Sequence, residues 1–131
     1  MTAMQKVAWT ELIVSVVTVA VVTALLPVLG SRAHAAFGLL GFLVGGMWFI
    51  RKGAVIDERD REIEAEATRL GIGVAWQSLF LALIAVVFWN ADDRIVNTKV
   101  LTWLVWIQFA ICYGVKGFVA VRMYRSQSRA A

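Results

Sequence analysis

Two charged residues interrupt runs that are otherwise apolar: Glu11 near the start of the chain and Lys116 near its end. A carboxylate or an ammonium at membrane-like depth is expensive unless it pairs, snorkels or lines a wet cavity. Polar neighbours accompany both at helical spacing. Glu11, Ser15 and Thr18 fall on one helix face, as do Gln108, Cys112 and Lys116, while Gln77 and Ser78 bring a third segment to the same layer. Such a layer admits two chemistries. It either glues helices together, with Glu11 and Lys116 paired or snorkelling separately, or it forms a proton- or cation-coupled path opening at one face.

Other reactive residues are sparse. Cys112 is the sole cysteine and His34 the sole histidine, so one chain builds neither an internal disulfide nor a zinc or haem site. No serine, cysteine or carboxylate pair stands beside a base in nucleophilic or metal-ligand spacing. The expectation is a protein that is not an enzyme and holds no cofactor or metal.

The elements that carry these residues follow from composition. The 131 residues are 60% hydrophobic and 17% charged, with a mean hydropathy of +0.74, against about half apolar and about a quarter charged in ordinary soluble domains. A chain so short and so apolar hides that surface in a bilayer. Four runs, 7–29, 33–50, 71–89 and 100–121, approach the ~20 residues a helix needs to cross the hydrocarbon core. None alternates polar with apolar residues, so helices are expected and strands are not. Short separators predict antiparallel neighbours in a single all-α membrane four-helix bundle. Ala33-His34-Ala35 imitates a signal cleavage site. However, the preceding run exceeds the ~7 to 15 residues of a signal h-region and opens with Trp9 and Glu11, which predicts a retained first helix ended by Pro27 and Gly30. His34 then belongs at the outer surface.

Basic residues set the expected orientation. Nine of the thirteen fall on the side of the N-terminus: Lys6, Arg51, Lys52, Arg59, Arg61, Arg69, Arg122, Arg125 and Arg129. Only Arg32, Arg94 and Lys99 fall opposite, which predicts both termini in the cytoplasm. Trp9, Trp48, Trp76 and Tyr124 near the inner boundary, with Trp89 and Trp103 near the outer, repeat that frame. The net charge of +4 is scattered among apolar segments, so anionic lipid, not nucleic acid, is its expected partner.

Between the second and third runs, residues 57–70 read as a cytoplasmic helix that extends the third span. Asp57 caps it, acidic residues crowd its first turns, and Asp57 to Arg61 and Glu66 to Arg69 are spaced for ion pairs. Ile56, Ile63, Ala67, Leu70 and Val74 make an apolar stripe, with Gly71 and Gly73 placed to bend the helix at the surface. Its carboxylates interleave with basic residues, which predicts a solvated, self-neutralised helix. Ile63, Ala67 and Leu70, flanked by Asp57, Glu58, Arg59 and Asp60, form a candidate docking stripe for a partner helix or a second copy of the chain.

Asp57-Glu58-Arg59-Asp60, then Ile63, Ala65 and Ala67 and an immediate apolar run, resembles an uncharacterised bacterial family of short four-helix membrane proteins. Its members carry a D-E-R-[DE] motif between spans two and three. The resemblance implies a cytoplasmic helix-turn-helix regulator as a partner, and no catalytic residues. Where such proteins often continue with a Tyr-Tyr segment, this chain has Gly71-Ile72-Gly73-Val74-Ala75-Trp76. A weaker likeness, in size, helix count and the first-helix Glu11, is to small multidrug transporters.

Small residues suggest how the helices approach. Gly38, Gly41 and Gly45 share a face of the second span, and Ala110, Gly114 and Gly117 a face of the fourth, each suited to close packing within one chain or in a homo-oligomer. The expected function is protein–protein interaction at the bacterial inner membrane, as partner of a cytoplasmic regulator or another membrane protein. The alternative is a small homo-oligomeric proton- or cation-coupled transporter.

Overall fold

The computed structural model describes residues 2–89 and 96–130, and for residues 31, 44 and 127–130 it describes the backbone alone. Arg94 and the side chain of Arg129, both used in the charge count, lie outside what is described. The chain forms α1 (Ala3–Leu29), a 3-10 helix (Gly30–Leu40) continued by α2 (Gly41–Arg51), α3 (Glu58–Trp89) and α4 (Thr98–Ala130). All four segments are long and apolar enough to cross a membrane, the second as Arg32–Arg51. The chain is a four-helix, multi-pass membrane protein.

Local chemistry sets the helix ends. Thr2 caps α1 by accepting from the Gln5 amide, and the Gln5 side-chain oxygen accepts from the Thr2 amide in return. Pro27 sits within the last turn, and Gly30, at φ 53°, ends the helix in a conformation that a side chain would resist. Asp57 caps α3, its Oδ1 accepting from the Asp60 amide at 2.7 Å, as the acidic cluster predicts. From there α3 runs unbroken through Gly71 and Gly73.

The second span departs from the expected uniform α-helix, since its first half is wound as a 3-10 helix. At ~2.0 Å per residue that winding reaches further than an α-helix of equal length, which lengthens the 20-residue segment Arg32–Arg51.

Packing departs from a ring of sequence neighbours. α4 packs on both α3 and α1, and α1 packs on the 3-10 helix and α2, so the order across the molecule is α3, α4, α1, α2. Two apolar clusters hold it. One joins Met4, Ala8, Ile63, Ala67, Ala120, Val121 and Tyr124 from α1, α3 and α4; the other joins Val22, Phe37, Leu40, Leu43 and Ala110. Glu11, Ser15 and Thr18 are buried on α1 between them. Beyond Gly71, α3 contributes no buried residue and exposes Phe80, Leu81, Val87 and Phe88, the surface that lipid covers.

Close approach explains two of the glycines. A Cβ on Gly117 would lie 2.6 Å from the Leu12 nitrogen and 2.9 Å from the Ala8 oxygen, and one on Gly71 would lie 2.7 Å from the Cys112 oxygen. The Ala110, Gly114 and Gly117 face therefore packs α4 onto α1 within one chain, with Gly114 against Ser15. Among the described residues, a Cβ at Gly38, Gly41 or Gly45 would meet no atom within 4 Å.

Candidate functional site

The N-terminus of α1, the C-terminus of α2, the N-terminus of α3 and the C-terminus of α4 meet at one end of the bundle, and each brings one charge inward. Lys116 Nζ of α4 lies 2.8 Å from Glu11 Oε1 of α1 and 3.6 Å from Glu64 Oε1 of α3. Glu64 also bonds the guanidinium of Arg51 at the end of α2. The result is a chain, Arg51 to Glu64 to Lys116 to Glu11, with one residue per helix and two charges of each sign. It also ties α3 to α2, which otherwise lie on opposite flanks of the molecule.

Burial grades along this chain. The Glu11 side chain is 1% exposed and Lys116 13%, whereas Arg51 and Glu64 are 37% and 27% exposed. Glu11 thus depends on Lys116 alone for charge compensation among the ion pairs described, while Lys116 has two carboxylates. Glu11, Arg51, Glu64, Lys116 and Tyr124 border a cavity of about 10 Å³, which is about the room one water molecule requires.

Hydrogen-bonded tiers flank the ion cluster. Toward the charged end, the buried Tyr124 hydroxyl donates to Asp60 Oδ1 at 2.6 Å, joining α4 to α3. Toward the bilayer centre, Ser78 Oγ lies 2.7 Å from Gln108 Oε1, again joining α3 to α4. On α1 the hydroxyls of Ser15 and Thr18 are buried with no hydrogen-bond partner among the described residues. Thr10 and Thr23 on the same helix instead bond the carbonyls one turn back, at 2.8 Å and 2.7 Å.

Of the polar layer expected from the sequence, Glu11 and Lys116 lie together, Ser15 is buried one turn from Glu11, and Gln108 bonds Ser78 in a separate tier, with one correction. Gln77 is exposed, because Ser78, one residue on, takes the inward position on α3. The docking stripe needs a larger correction. Ile63 and Ala67 are covered by Met4, Ala8, Ala120 and Tyr124 of the same chain, and Asp60 is held by Tyr124. These three are core residues, not a free surface. Asp57, Glu58, Arg59 and Leu70 remain exposed, as do Arg61, Glu62, Ala65 and Arg69. Neither Asp57 with Arg61 nor Glu66 with Arg69 is among the ion pairs described. His34, placed by sequence at the outer surface, is half-buried, with its ring edge-on to Trp103 at 4.5 Å.

Sequence reading missed Arg51, Glu64 and Tyr124 as members of the interhelical polar network. A signal existed for the acidic partners: Asp60, Glu64, Ala67 and Gly71 repeat at four and three residues beside Ile63, the spacing of an inward face. Among the described residues, no three His, Cys, Asp or Glu side chains gather as metal ligands. No family model, curated protein or solved structure matches the chain.

Proposed function

We propose that this protein acts by protein–protein interaction, binding a cytoplasmic partner on the outward face of the α3 extension, and that it does no chemistry of its own. In this reading it resides in the bacterial cytoplasmic membrane with both termini inside, the orientation that the basic residues favour. One observation carries the reading. Glu58, Glu62, Ala65 and Arg69 fall on one exposed stripe of α3 at four, three and four residues, while the residues behind them are fixed in the core. Glu62, Ala65, Glu66 and Arg69 line a cleft to which the buried Ile63 and Met123 of α4 also contribute.

A helix pinned on its inner face by Ile63, Ala67, Asp60 and Glu64 presents its outer charges in a preorganised row. That lowers the entropy lost on docking, and patterned charge selects the partner. The resemblance carried by Asp57-Glu58-Arg59-Asp60 makes a helix-turn-helix regulator the partner class to try first. Reversing Glu58 and Glu62 together, as Glu58→Lys with Glu62→Lys, should abolish association with that partner and leave folded yield unchanged, because both side chains are exposed. Retained association in the folded double variant would reject the proposal.

A second reading, a proton- or cation-coupled path, is favoured by the unpartnered hydroxyls of Ser15 and Thr18 in line with Glu11. Lys116, 2.8 Å from Glu11, opposes it by occupying the place of a transported cation. Proteoliposomes separate the two readings: a proton- or cation-driven flux lost in Glu11→Gln supports transport.

A further inference from the structure

At the charged end, α1 and α4 flank a cleft of about 380 Å³ whose lining changes character along the helices. By their order along the two helices, Leu12 and Phe118 lie on its membrane side, Trp9 and Val121 next, and Arg122, Arg125 and Ser126 toward the helix ends. The order follows from helical spacing. Phe118 and Arg122, and likewise Val121 and Arg125, are four residues apart on α4, while Trp9 and Leu12 are three apart on the antiparallel α1. Apolar rungs thus lie directly below cationic ones.

From this gradient we infer that the cleft is a binding site for one anionic phospholipid, with its phosphate between Arg122 and Arg125 and an acyl chain along Phe118 and Leu12. Charge complementarity selects this occupant: both charged residues lining the cleft are arginines, and none is acidic. Two guanidiniums three residues apart can both donate to one phosphate, in the planar geometry that arginine offers and lysine does not. Trp9 marks the depth. Indole rings settle at headgroup level, and the Arg125 guanidinium lies 5.1 Å from the Trp9 ring centroid, which orients it across the mouth of the cleft.

A soluble acidic peptide would satisfy the arginines but leave Phe118, 55% exposed, and the half-buried Leu12 beneath them without a match. A diacyl lipid satisfies both levels. Other basic side chains at this end lack the arrangement: Lys52 lies over the Trp48 ring at 5.4 Å on the far flank, and Lys6 is exposed outside the cleft. The inference does not depend on the partner proposed for α3.

The test is native mass spectrometry of the purified full chain in a nonionic detergent, titrated separately with dioleoylphosphatidylglycerol, dioleoylphosphatidylcholine and inorganic phosphate. The wild type should bind a first phosphatidylglycerol in clear preference to phosphatidylcholine. Arg122→Gln with Arg125→Gln should weaken that first binding about five-fold per arginine and about thirty-fold for the pair. Lys6→Gln with Lys52→Gln, an equal change of net charge, should leave it within about two-fold. Phe118→Ala, with both arginines kept, should weaken phosphatidylglycerol without restoring phosphatidylcholine.

Equal loss in the two double variants would reduce the site to general surface charge and overturn the inference. So would equal binding of the two lipids, or inorganic phosphate binding as strongly as phosphatidylglycerol. Arg122→Lys with Arg125→Lys guards against a folding artefact, since it keeps the charge and should retain part of the preference. Loss there as complete as in the glutamine pair, with helicity intact in both, would also contradict the assignment of charge as the selecting feature.

Discussion

Lys116 has two carboxylates and Glu11 has one ammonium, so removing either end of their ion pair should have unequal effects. In Lys116→Met, Glu11 stays 1% exposed with no other cation among its described ion pairs. Stranding a buried charge in this way costs about 3 to 5 kcal/mol. In Glu11→Gln, Lys116 keeps Glu64 at 3.6 Å. At an effective dielectric of about 20, the gross attractions at these two separations are about 6 and about 5 kcal/mol, so a little under half of the attraction on Lys116 survives and its charge is not stranded. The expected loss is then about 1.5 to 3 kcal/mol, the range for a hydrogen bond to a charged group. Combining the two leaves no stranded charge, and the double variant should lie within about 1 kcal/mol of Glu11→Gln alone, a coupling of about 2 kcal/mol or more. Reversible unfolding by sodium dodecyl sulfate in mixed micelles, followed by helicity, measures all four corners of the cycle. Equal losses in the single variants, or losses that add within about 0.5 kcal/mol, would refute the reasoning.

Three further outcomes follow from the packing and the charge pattern. Gly117→Leu should cost at least the ~1 to 3 kcal/mol of overpacking, since even a Cβ there meets the α1 backbone at 2.6 Å. Gly45→Ala, which meets nothing within 4 Å, should be neutral or gain up to about 1 kcal/mol of helix propensity; thermal unfolding in micelles compares the two. Tyr124→Phe should destabilise by about 1 to 3 kcal/mol because the buried Asp60 carboxylate loses its donor, and the same unfolding assay reads it. Reporter fusions at Ser31 and Asn97 should read outside and those after Ile63 and Ser128 inside, and any other pattern rejects both termini in the cytoplasm.

The fold was largely legible because four apolar runs admit few arrangements. Helix identity, the Asp57 cap and the closeness of Glu11 to Lys116 all follow from local spacing and depth. What sequence could not supply was the side of each helix that faces its own chain. Spacing reads Ile63 and Ala67 as a docking stripe, and only the position of α4 places them in the core. Gly38, Gly41 and Gly45 have the same spacing as a packed face and remain open, because α2 lies at the flank of the order α3, α4, α1, α2. Gln77 and Ser78 differ by one position, about 100° of helix rotation, which hydropathy does not resolve. The Arg51 to Glu64 contact joins two residues that flank a turn and was hidden among alternating charges of the same segment.

The central claim is that α3 offers a partner its outward charged stripe while its inward stripe stays committed to the bundle. The most direct measurement is photocrosslinking in the native membrane, with p-benzoylphenylalanine placed in turn at positions 58, 62, 63, 65, 67 and 69. Crosslinks to one and the same second protein are expected from positions 58, 62, 65 and 69, and none to any second protein from positions 63 and 67. Crosslinks concentrated at 63 and 67, or absent from all six positions in protein that is folded and inserted, would contradict it.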